Sequence, residues 1–242
     1  MGDALHVQGS PSLTDKDLAD LIEDFKENPI RREAGEPFFN EGEQTDFALF
    51  IQEGRVKVLA GKPPRTIAIR YPGEFVGEMA AIRKTPRSAS VVAFDDVVVA
   101  LFLPAAKWDQ FLRKHPDAIY ALLIASEERT EQATRKIVES DLAVEQRVAK
   151  AFIELTGDNI GDPPEEGIVL RLSQLDLASL IGASKLDSVK KVIRTFKGAG
   201  LISTGRQVIT LLKPAALRDI ANGDMTASAW SQRRAHDVHP PA

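Results

Sequence analysis

Leu18, Leu21, Ile22 and Phe25 recur at intervals of three and four behind Ser12 or Thr14 as capping residue, which predicts a helix over 12–25. From Ile30 to Leu103 the rhythm changes to short alternating segments broken by glycine and proline. Strands are expected at 47–52, 55–60, 66–71, 89–94 and 97–103, with turn chemistry at Glu41-Gly42-Glu43, Glu53-Gly54-Arg55, Gly61 to Pro64 and Pro72-Gly73. This reads as a β-sandwich or β-roll lidded by the first helix. Glycine then vanishes from Pro104 to Ser140 and helix formers dominate, with Pro116 at a plausible helix start. One long helix fits, and its seam runs Ile119, Leu123, Ser126, Thr130, Ala133, Ile137, Ser140. A seam that is apolar at its ends and small or polar in the middle can pair two helices without locking them.

A second amphipathic helix follows over 141–155, carrying Val144, Val148, Phe152 and Leu155 on one face, so a hinge is expected near Ser140. The run TGDNIGDPPEEG is a loop. After it come a short strand (168–172), a helix from Gln174 to Ile181 capped by Ser173, a turn at Gly182-Ala183-Ser184, a helix over 185–197, and a hairpin turning at Thr204-Gly205-Arg206. Strand, helix, turn, helix and hairpin together spell a winged helix-turn-helix. The tail from Asn222 is poor in large apolar residues and is expected to be disordered. The fold class is therefore α+β: an N-terminal helix and β-roll over 1–110, a long helix over 111–140, a winged helix-turn-helix over 141–221, and a tail over 222–242.

With 242 residues, 43% hydrophobic and 27% charged, the chain can build two modest domains with real cores. No apolar run approaches the roughly 18 residues of a membrane span, and the N-terminus lacks a secretory signal, so a cytoplasmic location without membrane attachment is expected. The absence of cysteine excludes disulfides and cysteine-ligated clusters, and the four histidines are scattered, so no metal site is expected. No nucleophile–base pair points to an enzyme. A net charge of −4 argues against a protein coated in positive charge for nucleic acid, yet leaves room for a local basic face.

The chemistry concentrates in GEFVGEMAAIRKTPRSASVV, residues 73–92. Gly73 and Gly77 allow tight bends and close backbone approach to a ligand. The Glu78 carboxylate can accept a hydrogen bond from a ribose hydroxyl, while Arg87 offers a planar fork suited to phosphate oxygens. Met79 opens a short helical turn whose N-terminal amides would point at the anion, and Ser88 can donate its hydroxyl to the same group. The string resembles the phosphate-binding cassette of cyclic nucleotide-binding domains, matching it at Gly77, Glu78, Pro86, Arg87, Ser88 and Ala89.

In the C-terminal half, Lys185, Lys190, Lys191, Arg194 and Lys197 place five cations in thirteen residues against one acid, Asp187, and Arg206 adds a sixth at the wing tip. A second helix of this kind enters the major groove by its N-terminal end. Candidate DNA-contacting residues are Ser173, Gln174, Ser184, Lys185, Leu186, Asp187, Ser188, Lys190, Lys191, Arg194 and Arg206. LSQLDLASLIGAS, Gly200-Leu201-Ile202 and Gly205-Arg206 with ITLL resemble the DNA-binding domain of the Crp/Fnr family of bacterial transcription regulators.

That resemblance, spanning roughly residues 30–220, implies a homodimer joined through the long helix, a β-roll effector domain, a pseudo-palindromic operator of double-stranded DNA, and RNA polymerase as a further partner. Two departures stand out. Most relatives follow the turn serine with Arg-Glu-Thr-Val and a second arginine. Here the run is Lys185-Leu186-Asp187-Ser188-Val189-Lys190-Lys191, one residue longer, and lysine is a point donor where arginine grips guanine by two bonds. Relatives that respond to cyclic AMP contact adenine through a Thr-Ser pair on the long helix. Here Gln132 and Ala133 stand there, flanked by Thr130 and Thr134. Glutamine can serve either purine, so cyclic AMP is favoured by family frequency and cyclic GMP stays open. The expected function is a transcription regulator whose DNA binding responds allosterically to that nucleotide. The alternative keeps the fold but is constitutive or senses another ligand.

Overall fold

The computed structural model describes residues 13–27, 29–156, 167–183 and 185–238, with side chains through Arg233. Ser12, Ser184 and the centre of the expected loop, 157–166, lie outside the described residues. The chain divides into two compact units at Ala133/Thr134.

The first unit opens with α1 (Asp15–Phe25), capped by the Thr14 hydroxyl, which accepts from the Asp17 amide. Eight strands follow: β1 (Pro29–Glu33), β2 (Pro37–Phe39), β3 (Phe47–Glu53), β4 (Val56–Ala60), β5 (Arg65–Arg70), β6 (Phe75–Val76), β7 (Ser90–Ala93) and β8 (Val97–Pro104). They form two antiparallel four-stranded sheets, ordered β1-β8-β3-β6 and β2-β7-β4-β5. The short helix α2 (Glu78–Arg83) lies between β6 and β7.

Alternation along β3 and β8 sorts residues between two cores. Leu49, Ile51, Val98 and Ala100 join Phe38, Phe39, Val56, Val91 and Ala93 between the sheets. Ala48, Phe50, Leu101 and Leu103 point the other way, onto Leu21 and Phe25 of α1 and onto helix α3 (Ala105–Lys114) through Trp108, Phe111 and Leu112. Both faces are covered, so β3 reads as a continuous apolar run.

The long helix expected over 111–140 begins at Pro116, and a separate helix, α3, precedes it. α3 ends at His115, whose backbone (φ −123°, ψ 78°) leaves the helical region because Pro116 follows it, and α4 (Pro116–Val138) then begins with that proline at its first position. A 3₁₀ turn at Glu139–Asp141 follows α4, after which Leu142 is extended, and this is where the hinge was expected.

The second unit contains α5 (Val144–Thr156), β9 (Ile168–Arg171), α6 (Gln174–Leu180), α7 (Leu186–Gly198), β10 (Ile202–Gly205), β11 (Val208–Leu211) and α8 (Pro214–Asn222). The sheet order is β10-β11-β9, all antiparallel. Its core joins Val148, Phe152, Leu177, Val189, Ile193, Phe196, Leu201, Leu211 and Leu217, all buried. Gly182, at φ +63°, turns the chain between α6 and α7.

The tail differs from expectation: Ala227–Val238 forms a helix, α9. Its start is held from afar, because the Ala227 amide donates to Glu145 Oε1 at 2.7 Å and the Thr226 hydroxyl accepts from the Ala229 amide. Ala227 is fully buried, so the segment docks through a small residue that composition alone undervalues.

Phe152 is fully buried and sits 6.3 Å, centroid to centroid, from Phe196. Phe152→Ala should destabilise the second unit by about 3–5 kcal/mol. Denaturant unfolding followed by circular dichroism checks this, and a cost below about 1 kcal/mol would show that Phe152 is not a core anchor.

Candidate functional site

Gly77 takes the left-handed conformation (φ +75°) and N-caps α2. A Cβ there would collide with Arg87 Nη1 and lie 2.9 Å from the Phe39 ring, so the position requires glycine for both conformation and space. Lys84 is also left-handed (φ +54°) and closes α2 at its other end. The Arg87 backbone is pinned to the turn before β3: its amide donates to the Glu43 carbonyl at 2.9 Å, and its carbonyl accepts from the Gly42 amide at 2.8 Å.

The Arg87 side chain turns inward and is 2% exposed. Its Nη1 donates to the Gly77 carbonyl at 2.6 Å, its Nη2 to the Phe47 carbonyl at 2.6 Å, and its Nε to Thr45 Oγ1. The guanidinium also lies 4.0 Å from the Phe39 ring centroid and 4.7 Å from that of Phe47. Burial pulls its pKa down, opposed by the fields of Glu78, Glu43 and Asp46. A desolvated cation whose hydrogen-bond partners are all neutral is a site where an anion gains strongly.

Glu78, at the first position of α2, is also buried. Its carboxylate pairs with Arg129 of α4, Nη1 to Oε1 at 2.7 Å, while Arg129 Nη2 donates to the Phe75 carbonyl at 2.7 Å. Among the described residues Arg129 Nε has no hydrogen-bond partner. Nearby, burial lowers the pKa of Arg70 and raises that of Glu74, and the two lie 3.8 Å apart.

Arg87 thus bonds Gly77 directly, while Glu78, next to that glycine in the chain, turns its carboxylate to Arg129. Met79 and Ser88 sit beside them, exposed. Thr130, Gln132, Ala133 and Thr134 are exposed on α4, and the Thr130 hydroxyl donates to the Ser126 carbonyl at 3.0 Å. Sequence reading missed Arg129 and Thr45. For Arg129 the available signal was a basic residue on the long helix one turn before Ala133, whereas Thr45 carries no motif at all.

In the second unit, α7 buries Val189, Ile193 and Phe196, which leaves Lys190, Lys191, Arg194 and Lys197 exposed on the rest of its surface. Lys185 is the exposed N-cap, and Leu186 and Ser188 are half-buried in the first turn. Asp187 is exposed and lies 3.5 Å from Lys190. Arg206 and Gln207 form the two-residue wing tip between Gly205 and Val208, with Gln207 at φ +56°. Ser173 is committed to structure, its hydroxyl accepting from the Asp176 amide to cap α6, and Gln174 follows it half-buried. Ser184 lies outside the described residues.

Residues 29–115 match the model of the cyclic nucleotide-binding domain, and residues 146–220 match that of the Crp-like helix-turn-helix domain. The chain belongs to the Crp/Fnr family of transcription regulators. It is similar to the cyclic AMP receptor protein of Thermus thermophilus, with 27% identity over 197 residues that cover 78% of this chain and 86% of the relative. A crystal structure of a CRP/FNR-family transcriptional regulator from the same organism matches with TM-score 0.62 and 25% identity, covering 81% of this chain and 98% of that one. The c-di-GMP responsive global regulator CLP of Xanthomonas campestris shares the fold, with TM-score 0.67 and 22% identity over 80% of this chain and 98% of that one.

As a Crp/Fnr regulator the chain binds DNA through its helix-turn-helix domain. Among the described residues no helix is long and apolar enough to cross a membrane, and no cluster of ligating side chains could hold a metal ion.

The Gly77 environment yields a direct expectation. Gly77→Ala must displace either the backbone or the Arg87 fork, so the variant should melt several degrees below wild type and its cassette amides should lose protection in hydrogen exchange. Unchanged protection would contradict the packing described.

Proposed function

We propose that this Crp/Fnr regulator is a homodimer whose binding to a pseudo-palindromic duplex is controlled by a cyclic nucleotide held in the β-roll. The observation that carries the proposal is the buried Arg87 cation, bonded to neutral acceptors that include the Gly77 carbonyl, with Glu78 buried at the first position of the helix that Gly77 caps. In the bound state Arg87 grips the cyclic phosphate with Ser88 beside it, and Glu78 accepts from the ribose hydroxyl. Arg129, already paired with Glu78, holds that carboxylate in place. Met79 flanks the sugar, and Thr130, Gln132, Ala133 and Thr134 supply the base edge. Cyclic AMP is favoured, supported by the name of the Thermus thermophilus relative; cyclic GMP is the alternative, because the amide of Gln132 both donates and accepts.

Homodimerisation rests on α4, where Ile119, Tyr120, Leu123, Ile124, Ile137 and Val138 are exposed large apolar residues. Three of them, Ile119, Leu123 and Ile137, lie on the expected seam, and a second copy of the helix is the partner such a stripe fits. RNA polymerase is the further partner of the DNA-bound dimer, and the cytoplasm its place of action. The competing reading, a constitutive regulator or a sensor of another ligand, draws on Arg87 being already satisfied by protein acceptors.

Arg87→Leu should weaken cyclic AMP binding roughly 10- to 100-fold in calorimetry, the loss expected for charge-assisted hydrogen bonds. Unchanged affinity for both cyclic nucleotides would end the sensor reading. On the DNA side, Lys185→Ala should relax sequence preference, whereas Arg206→Ala should weaken all sequences alike and reduce the salt slope by about one. A salt-independent affinity would contradict the proposed interface.

A further inference from the structure

Three bonds hold the Arg87 fork, and they differ in kind. Two acceptors are backbone carbonyls, of Gly77 and Phe47, fixed by the sheet and by α2. The third, at Nε, is the side-chain hydroxyl oxygen of Thr45, a residue outside the cassette and 42 positions before Arg87 in the chain. Thr45 sits on a short segment tied at both ends: Glu43 accepts from the Arg87 amide, and the Asp46 carbonyl accepts from the Ala105 amide at 2.7 Å just before β3 begins. The hydroxyl is therefore presented from a rigid frame.

A guanidinium that is 2% exposed cannot meet a phosphate without leaving or opening this cage. The free energy that holds the caged conformation is subtracted from that of ligand binding, because apparent affinity scales with the fraction of protein in the competent state. Thr45 is the one acceptor of the three that a side-chain change can remove. We propose that Thr45 is a positioning residue that stores Arg87 in a self-satisfied conformation and thereby sets both the affinity and the entry rate of the anion site. The inference rests on Arg87 being the phosphate ligand of the proposed function.

Thr45→Val keeps shape and removes the acceptor. It leaves Nε unpaired only while Arg87 is caged, so it penalises the ligand-free state alone. Cyclic AMP should bind Thr45→Val about tenfold more tightly than wild type by calorimetry, with the gain in the association rate. Thr45→Ser, which keeps the hydroxyl, should return to wild-type values. Arg87→Leu serves as the control that separates the two claims. If Arg87→Leu loses binding while Thr45→Val is unchanged or weaker, the storage role is overturned and the nucleotide site stands. If Arg87→Leu binds normally, the site itself falls and the storage role falls with it.

The wild-type protein provides a test that needs no variant. In stopped-flow mixing with a fluorescent cyclic AMP labelled on the base, release of the caged arginine should appear as an observed rate that reaches a plateau with rising ligand concentration. A rate linear to the highest concentration would overturn the storage step.

Discussion

A cation cut off from water must be compensated by its surroundings, and among the described residues Arg87 is the buried cation that makes this demand. The local architecture answers it. Gly77 adopts a left-handed backbone, so its carbonyl faces the guanidinium and no side chain stands in the way. The turn at Glu41-Gly42-Glu43 clasps the arginine backbone, the start of β3 contributes the Phe47 carbonyl, and Phe39 and Phe47 lie against the guanidinium. None of these partners is an anion. Each guanidinium nitrogen thus has one neutral acceptor and no anionic one, a combination suited to a site that must persist empty and still attract a phosphate.

Glu78 shows the complementary solution. It is buried next to the arginine cage but neutralised by Arg129, which reaches it from α4. That ion pair ties the cassette to the same helix whose exposed apolar stripe is the proposed dimer seam. A ligand that competes for Glu78 would act on Arg129, and hence on the helix, by changing a charge-assisted hydrogen bond rather than by pushing on the fold. In the other unit a similar economy holds: the protein is acidic overall, with net charge −4, yet α7 displays its lysines and arginine on the surface left over once Val189, Ile193 and Phe196 are buried. The positive charge is concentrated on the helix proposed to enter the groove.

Much of this was legible in the order of residues. Strands β3, β4, β5, β7 and β8 were legible as short apolar or alternating segments between turn residues, and the cassette by the spacing of Gly77, Glu78 and Arg87. Pieces of two or three residues, such as β2 and β6, carry too few positions for a period to register. The break at His115 is marked in the sequence only by Pro116, the plausible helix start, because helix formers continue on both sides of it. α9 depends on Glu145, 82 residues upstream, to cap its first turn, and no local signal reveals a long-range cap. Thr45 was missed for the same reason, and Arg129 because its place on the long helix does not by itself name Glu78 as partner.

An anion site coupled to a DNA-reading domain obeys reciprocity: the factor by which nucleotide changes DNA affinity equals the factor by which DNA changes nucleotide affinity. The decisive measurement is a pair of titrations on the wild-type protein with a duplex selected from random sequence, one giving DNA affinity with and without saturating cyclic AMP, the other giving cyclic AMP affinity with and without saturating duplex. Two matching ratios of about fivefold or more are predicted. A ratio of one for DNA, with cyclic AMP or cyclic GMP in excess, would contradict the claim that this β-roll controls this helix-turn-helix.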